Sequence, residues 1–249
     1  MKKTIFISAF CFLLSAFVGA QYLSTADGLA QLTTVPSAGG PTNVVNGLVG
    51  WWKFDEGSGT TANDSSDSGF TGTINGGASY VSGRVGTYAL ALDGSSAYVS
   101  FGTHAGLQNQ VFTYIAWVFV NNVNNPNAIY GAGSTLGEPC LRINNGTMTL
   151  TGEYIFDVGM SVGTVANSTW TQVSVTYDVS GNYAFYTNGI AAGSGNNLQT
   201  FIFVGNAQTG RINDTASPTW FFGGSIDDVR VYNRALSSDE VLNIYNFTK

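Results

Sequence analysis

Trp170-Thr171-Gln172-Val173-Ser174-Val175-Thr176-Tyr177-Asp178 runs through Val179-Ser180-Gly181-Asn182 into Tyr183-Ala184-Phe185-Tyr186-Thr187-Asn188-Gly189. Apolar and polar side chains alternate from Val173 to Tyr177, which puts Val173, Val175 and Tyr177 on one face of a strand. Ser180-Gly181-Asn182 and Thr187-Asn188-Gly189 read as hairpin turns, because Asn and Gly tolerate the positive φ such turns need. Strand and turn then recur along the chain, with a further turn at Asn144-Asn145-Gly146. Runs rich in Val, Ile, Tyr, Phe, Trp and Thr lie at 48–54, 78–82, 88–92, 97–101, 112–120, 141–143, 147–151, 200–204 and 226–232. No helical pattern interrupts them. The pattern predicts an all-β fold, a sandwich of two antiparallel sheets. No fixed-period repeat is present, which argues against a solenoid or propeller. One short C-terminal helix is predicted from the capping box Ser237-Ser238-Asp239-Glu240, as a latch on the sandwich edge.

The composition agrees. The 249 residues include 32 glycines and only 10% charged side chains, against roughly 25% in an average domain. Aromatics at 13% are too many for a disordered chain. Lys2 and Lys3 precede an uncharged apolar run ending at Val18-Gly19-Ala20, the pattern of a signal peptide over 1–20. Residues 21–47 are small and polar and read as a flexible linker, leaving 48–249 as one domain. Without the two leading lysines, 7 basic residues face 15 acidic ones. Such a chain cannot neutralise phosphates, so nucleic acid is excluded as a partner. No second stretch is long enough to span a membrane. The expected setting is therefore secreted or cell-surface.

Only Cys140 follows the signal segment, so no internal disulfide is available and the core must hold the fold. Cys140 reads as a small buried hydrophobe. The single His104 sits in a glycine-flanked turn with no reason to meet it, so thiol catalysis is not expected.

Two segments carry a family resemblance. The first is Leu48-Val49-Gly50-Trp51-Trp52-Lys53-Phe54-Asp55-Glu56-Gly57-Ser58-Gly59, with Asp64-Ser65-Ser66, Gly83-Arg84-Val85-Gly86 and Ala89-Leu90-Ala91-Leu92-Asp93-Gly94 following. The second is Gly224-Ser225-Ile226-Asp227-Asp228-Val229-Arg230-Val231-Tyr232-Asn233-Arg234-Ala235-Leu236-Ser237. Together they resemble a laminin-G-like domain of the concanavalin A-like lectin/glucanase superfamily, over about 48–246. The resemblance implies a jelly roll of a dozen or more strands, often with a calcium ion at the rim, and recognition of glycans or proteins. The chain departs from the pattern at Phe185-Tyr186-Thr187-Asn188-Gly189 and lacks the cysteine pair some members carry.

Glycoside hydrolysis needs paired carboxylates on one face, about 5–5.5 Å apart for retention and farther for inversion. No run of alternating acids supplies them. Asp55-Glu56 and Asp227-Asp228 would point to opposite faces if in strands. Glu153 and Asp157 could share a face, but no third acid joins them.

A hard-cation site is better supported, since calcium wants oxygen ligands and the chain has almost no thiol or imidazole. Asp55 ends a strand and opens a Gly-Ser-Gly loop, and Asp227 or Asp228 lies in the last strand. One structural calcium could tie the two ends together. The alternative is that Asp55 caps a turn and Asp228 pairs with Arg230 or Arg234. The resemblance favours calcium.

Sugar recognition uses aromatic faces and amides in loops. The candidates are Asn121, Asn122, Asn124, Asn125, Tyr130, Asp214 and Trp220; Trp51, Trp117 and Trp170 read as core. Asn-X-Ser/Thr sequons occur at Asn63, Asn145, Asn167, Asn213 and Asn246. The expected function is non-catalytic recognition of an extracellular glycan or surface protein. The alternatives are a self-assembling structural or adhesive subunit, acting through residues 21–48 or a sheet edge, and a divergent glycoside-acting enzyme.

Overall fold

The computed structural model describes residues 42–132, 137–152, 156–160, 164–212 and 220–249. Residues 1–41, over which a signal peptide and most of a linker are expected, and Glu153, Asn213 and Asp214 lie outside the described residues.

The strands in chain order are β1 (Leu48–Trp52), β2 (Thr61–Ala62), β3 (Gly72–Asn75), β4 (Ser79–Ser82), β5 (Tyr88–Asp93), β6 (Tyr98–Gly102) and β7 (Phe112–Val120). After them come β8 (Asn127–Ala132), β9 (Pro139–Asn144), β10 (Thr147–Gly152), β11 (Phe156–Met160), β12 (Thr171–Tyr177), β13 (Asn182–Thr187) and β14 (Ile190–Asn196). The last are β15 (Ala207–Thr209), β16 (Arg211–Ile212), β17 (Trp220–Phe221) and β18 (Gly223–Tyr232), before helix α1 (Ser238–Thr248).

Two antiparallel eight-stranded sheets form the sandwich. The first runs β14-β13-β12-β7-β18-β5-β4, with β1 also on β18; the second runs β11-β10-β9-β8-β15-β6-β3-β2. The predicted hairpins are present. Asn145 and Gly146 have φ of 50° and 74°, and Asn188 and Gly189 have 52° and 76°, the two positive values a tight hairpin turn requires.

Alternation builds the core. Val173, Val175 and Tyr177 of β12 and Phe112, Tyr114, Ala116, Val118 and Val120 of β7 pack inward against Leu141, Ile143, Met148 and Leu150 of the second sheet. Trp52 stacks on Phe101 with ring centres 3.7 Å apart. Cys140 is buried, as expected.

Helix α1 differs from its expected place. It has 11 residues and lies on the outer face of the first sheet, not at an edge: Val241 and Ile244 pack with Ile115, Tyr186, Tyr232 and Leu236. Odd-numbered residues of the central strand β7 point outward, and the helix covers Ile115 and Trp117 among them. The capping box is formed by Ser237 and Glu240. Trp117 is buried under this helix rather than between the sheets, its indole N–H donating to Thr248 Oγ1 at 2.9 Å. Trp51 and Trp170 are only half-buried; Trp52 holds the core position.

Residues 42–47 also belong to the folded body. Tyr232 donates its hydroxyl proton to the Val44 carbonyl (2.9 Å), and Arg234 Nε donates to the Asn46 carbonyl (2.9 Å). The ordered domain thus begins before residue 48.

Candidate functional site

A cleft of about 390 Å³ opens where three chain segments meet: the turn after β5, the loop between β7 and β8, and the β17–β18 junction. Asp93, Asn121, Asn122, Asn125, Asn127 and Trp220 line it. Three of these hold the frame. Asn127 is buried: its amide donates to the carbonyls of Asn122 (2.9 Å) and Asn125 (2.6 Å), and its Oδ1 accepts from the Gly223 N–H (3.1 Å). The loop is thereby folded back onto β18. Asn121 adds a backbone bond to the Gly223 carbonyl at 2.9 Å. Asp93 organises its own turn, accepting from the N–H groups of Ser95 (2.8 Å), Ser96 (2.7 Å) and Ala97 (2.9 Å) on Oδ1 and from both serine hydroxyls on Oδ2. These bonds hold the carboxyl well below the usual range even against its desolvation.

Three side chains remain open to the cleft. The amides of Asn121 and Asn125 and the Nδ2 of Asn122 carry no bond to any described residue. All three side chains are exposed. Trp220 is half-buried on β17, and the Arg142 guanidinium lies over its ring, 4.5 Å from the centre. The loop asparagines and Trp220, distant in sequence, are thus brought together. Asn124 is exposed beside them, its N–H on Asn122 Oδ1 at 3.1 Å, but does not line the cleft.

Tyr130 is a correction. It lies in β8 with 2% of its surface exposed, between Trp52, Phe101 and Tyr114, so it cannot meet a ligand at the rim. The residue follows Ile129 across a register irregularity between β8 and β9, which turns it inward. Burial pushes its hydroxyl pKa upward. The sequence reading missed Asp93 and Asn127; an Asp followed by Gly-Ser-Ser is itself a turn signal.

The acids expected to bind calcium also hold the chain. β18 pairs with β5 through Ile226 and with β1 from Val229, and a β-bulge at the junction gives Asp228 a φ of 50°. The bulge breaks the alternation, so Asp227 and Asp228 both lie outward instead of on opposite faces. Asp228 pairs with buried Arg230 (Nε to Oδ2, 3.0 Å) and accepts from the Trp51 indole, which is the pairing alternative read from the sequence.

Asp227 Oδ2 accepts from the N–H groups of Arg84 (2.7 Å) and Val85 (2.8 Å). Asp55 Oδ1 accepts from those of Thr87 (2.7 Å) and Tyr88 (2.9 Å). Calcium needs six to eight oxygens. Asp228 is neutralised by Arg230, and among the described residues no group of three or more His, Cys, Asp or Glu is placed to hold a metal, while Asp227 Oδ1 is buried without a hydrogen-bond partner.

Among the described residues no helix is long and apolar enough to cross a membrane. A search of curated proteins finds no match. Solved structures share the fold. Domain 4 of AbnA, a GH43 extracellular arabinanase from Geobacillus stearothermophilus, in complex with arabinotriose, superposes with a TM-score of 0.64 at 23% identity, over 80% of this chain and 98% of that one. A mutant Trypanosoma rangeli sialidase displaying trans-sialidase activity gives 0.63 at 19%, over 85% of this chain but 34% of the sialidase. The botulinum neurotoxin type G receptor binding domain gives 0.59 at 19%, over 80% and 51%. The chain thus spans about a third of the sialidase and half of the toxin domain. Residues 93–242 match the laminin G description of the concanavalin A-like lectin/glucanases superfamily, and with the two-sheet sandwich already in view, the chain belongs to that superfamily.

Proposed function

We propose that this chain is an exported, non-catalytic recognition module that binds extracellular carbohydrate in the cleft between the Asn121–Asn127 loop and Trp220. The observation that carries the reading is the set of open amides of Asn121, Asn122 and Asn125 facing Trp220 across 390 Å³. Amides read sugar hydroxyls while an indole packs on the apolar side of a pyranose or furanose. Asp93 is the one acid among the described lining residues and its oxygens are occupied, so it offers no free carboxylate for glycosidase chemistry. Export is supported by the leading segment 1–20, and the arabinotriose complex of the arabinanase domain lends the fold a precedent. Calcium takes no part in this reading.

The test is a glycan array followed by calorimetry on the purified protein. Trp220→Ala and Asn122→Ala should each abolish or sharply weaken binding, Asn122→Ala without shifting the melting temperature and Trp220→Ala with a modest drop from its lost packing on Ala128, Cys140 and Ile212. Retention of full affinity in both variants would move the site elsewhere, and absence of any glycan ligand would end the proposal.

A structural subunit is the second reading. Edge strand β14, Ile190-Ala191-Ala192-Gly193-Ser194-Gly195-Asn196, carries no charge, and Ile190 is 70% exposed. Edges of that kind invite strand pairing unless they are blunted. Concentration-dependent assembly in sedimentation, lost on Ala192→Lys, would favour it.

A further inference from the structure

We infer that the cleft selects neutral glycans and rejects uronate- or sialate-bearing ones; this rests on the carbohydrate reading above. A cation that makes a charge-assisted bond is what most strengthens recognition of an anionic sugar over a neutral one. Each described Lys and Arg lies over an aromatic ring or is paired with an acid. Lys53 and Arg230 lie over Trp51, Arg84 over Trp117, Arg142 over Trp220, Arg211 over Tyr98 and Lys249 over Tyr245. Arg234 is paired with Glu240 at 2.7 Å.

The Arg142 guanidinium rests on the indole, 4.5 Å from the ring centre. Among the described residues no Lys or Arg lines the cleft itself. The polar groups left to a ligand there are the amides of Asn121, Asn122 and Asn125, which carry dipoles and no charge.

The acid in the cleft reinforces the selection. Asp93 receives five hydrogen bonds on two oxygens, against about four lone-pair positions in a carboxylate. It cannot accept from a sugar hydroxyl, and it stays ionised. A ligand carboxylate entering the cleft would meet a fixed negative charge with no compensating cation, on a chain of net charge −6.

The experiment compares the full chain against two probe sets at low and high salt. One set holds neutral arabinan-, galactan- and glucan-derived oligosaccharides, the other oligogalacturonates and sialylated lactose. The expected result is binding to at least one neutral probe, at least about tenfold tighter than to any acidic probe and unchanged by salt. Acidic probes bound more tightly, with affinity that falls as salt rises, would overturn the selectivity while leaving the carbohydrate reading standing. Binding to neither set would overturn the carbohydrate reading, and the selectivity with it. Asp93→Asn in the same assay should disturb the turn and lower the melting temperature. If it instead admits acidic probes at unchanged stability, the excluding charge is confirmed as Asp93.

Discussion

Asp55 and Asp227 grip the same turn from its two ends: Asp227 takes the N–H groups of Arg84 and Val85, and Asp55 those of Thr87 and Tyr88. Gly86 lies between them, where a Cβ would collide with the Asp55 carboxylate. The two acids are 172 residues apart in the chain, and their shared turn joins the segment after β1, the β4–β5 hairpin and β18.

The grip should respond to pH. Burial pushes the Asp227 carboxyl from its ordinary 3.8 up to about 7, with Asp228 and Asp55 adding to the rise. A raised folded-state pKa means the fold favours the protonated form. That contribution is complete below 3.8 and is lost as pH rises through about 7. The melting temperature should therefore increase as the buffer is taken from about pH 8 to about pH 5. Asp227→Asn should flatten that dependence, and a flat wild-type profile would contradict the assignment.

Replacing Asp227 by Ala removes the acceptor for two backbone N–H groups. The expected loss is about 2–4 kcal/mol in urea denaturation, with Asp227→Asn much milder because its amide oxygen still accepts.

Asp228 neutralises a buried guanidinium. Asp228→Ala should cost about 3–5 kcal/mol, since Arg230 would be left charged in an apolar setting. Equal destabilisation by Asp228→Asn would mean that the charge, not the hydrogen bonds, is what Arg230 requires.

Chelation tests the calcium expectation: an ion held at the partnerless Asp227 Oδ1 would stabilise the fold that binds it, so its removal should lower the melting temperature and added calcium restore it. An unchanged curve would retire the ion.

The latch helix gives a fifth check. Ser237→Ala should cost about 1 kcal/mol through the lost cap. Arg234 holds Glu240 down at about 2 against an ordinary 4.5. Its stabilisation is present above 4.5 and is lost as pH falls through about 2, so Arg234→Ala should weaken the fold at neutral pH and matter less in acid.

The all-β sandwich, the Asn-Gly hairpins and the capping box were legible in the sequence because each rests on local chemistry: period-two burial, tolerance of positive φ, and a side chain answering a nearby N–H. Val173, Val175 and Tyr177 needed no knowledge of their partners to be placed inward. Trp51, Trp117 and Tyr130 were misplaced for the complementary reason. Which face a strand presents to the core depends on the sheet opposite and on irregularities such as the one in β8, and no neighbour in sequence records that. The bulge at Asp228 likewise turned an adjacent acid pair to one side, and only the change of partner from β5 to β1 along β18 accounts for it. For the cleft, the sequence named the loop asparagines and Trp220 by type. Tertiary structure alone decided that they face one another, that Asp93 and Asn127 belong with them, and that Tyr130 does not, because a cleft is a convergence of segments whose spacing along the chain carries no trace of it.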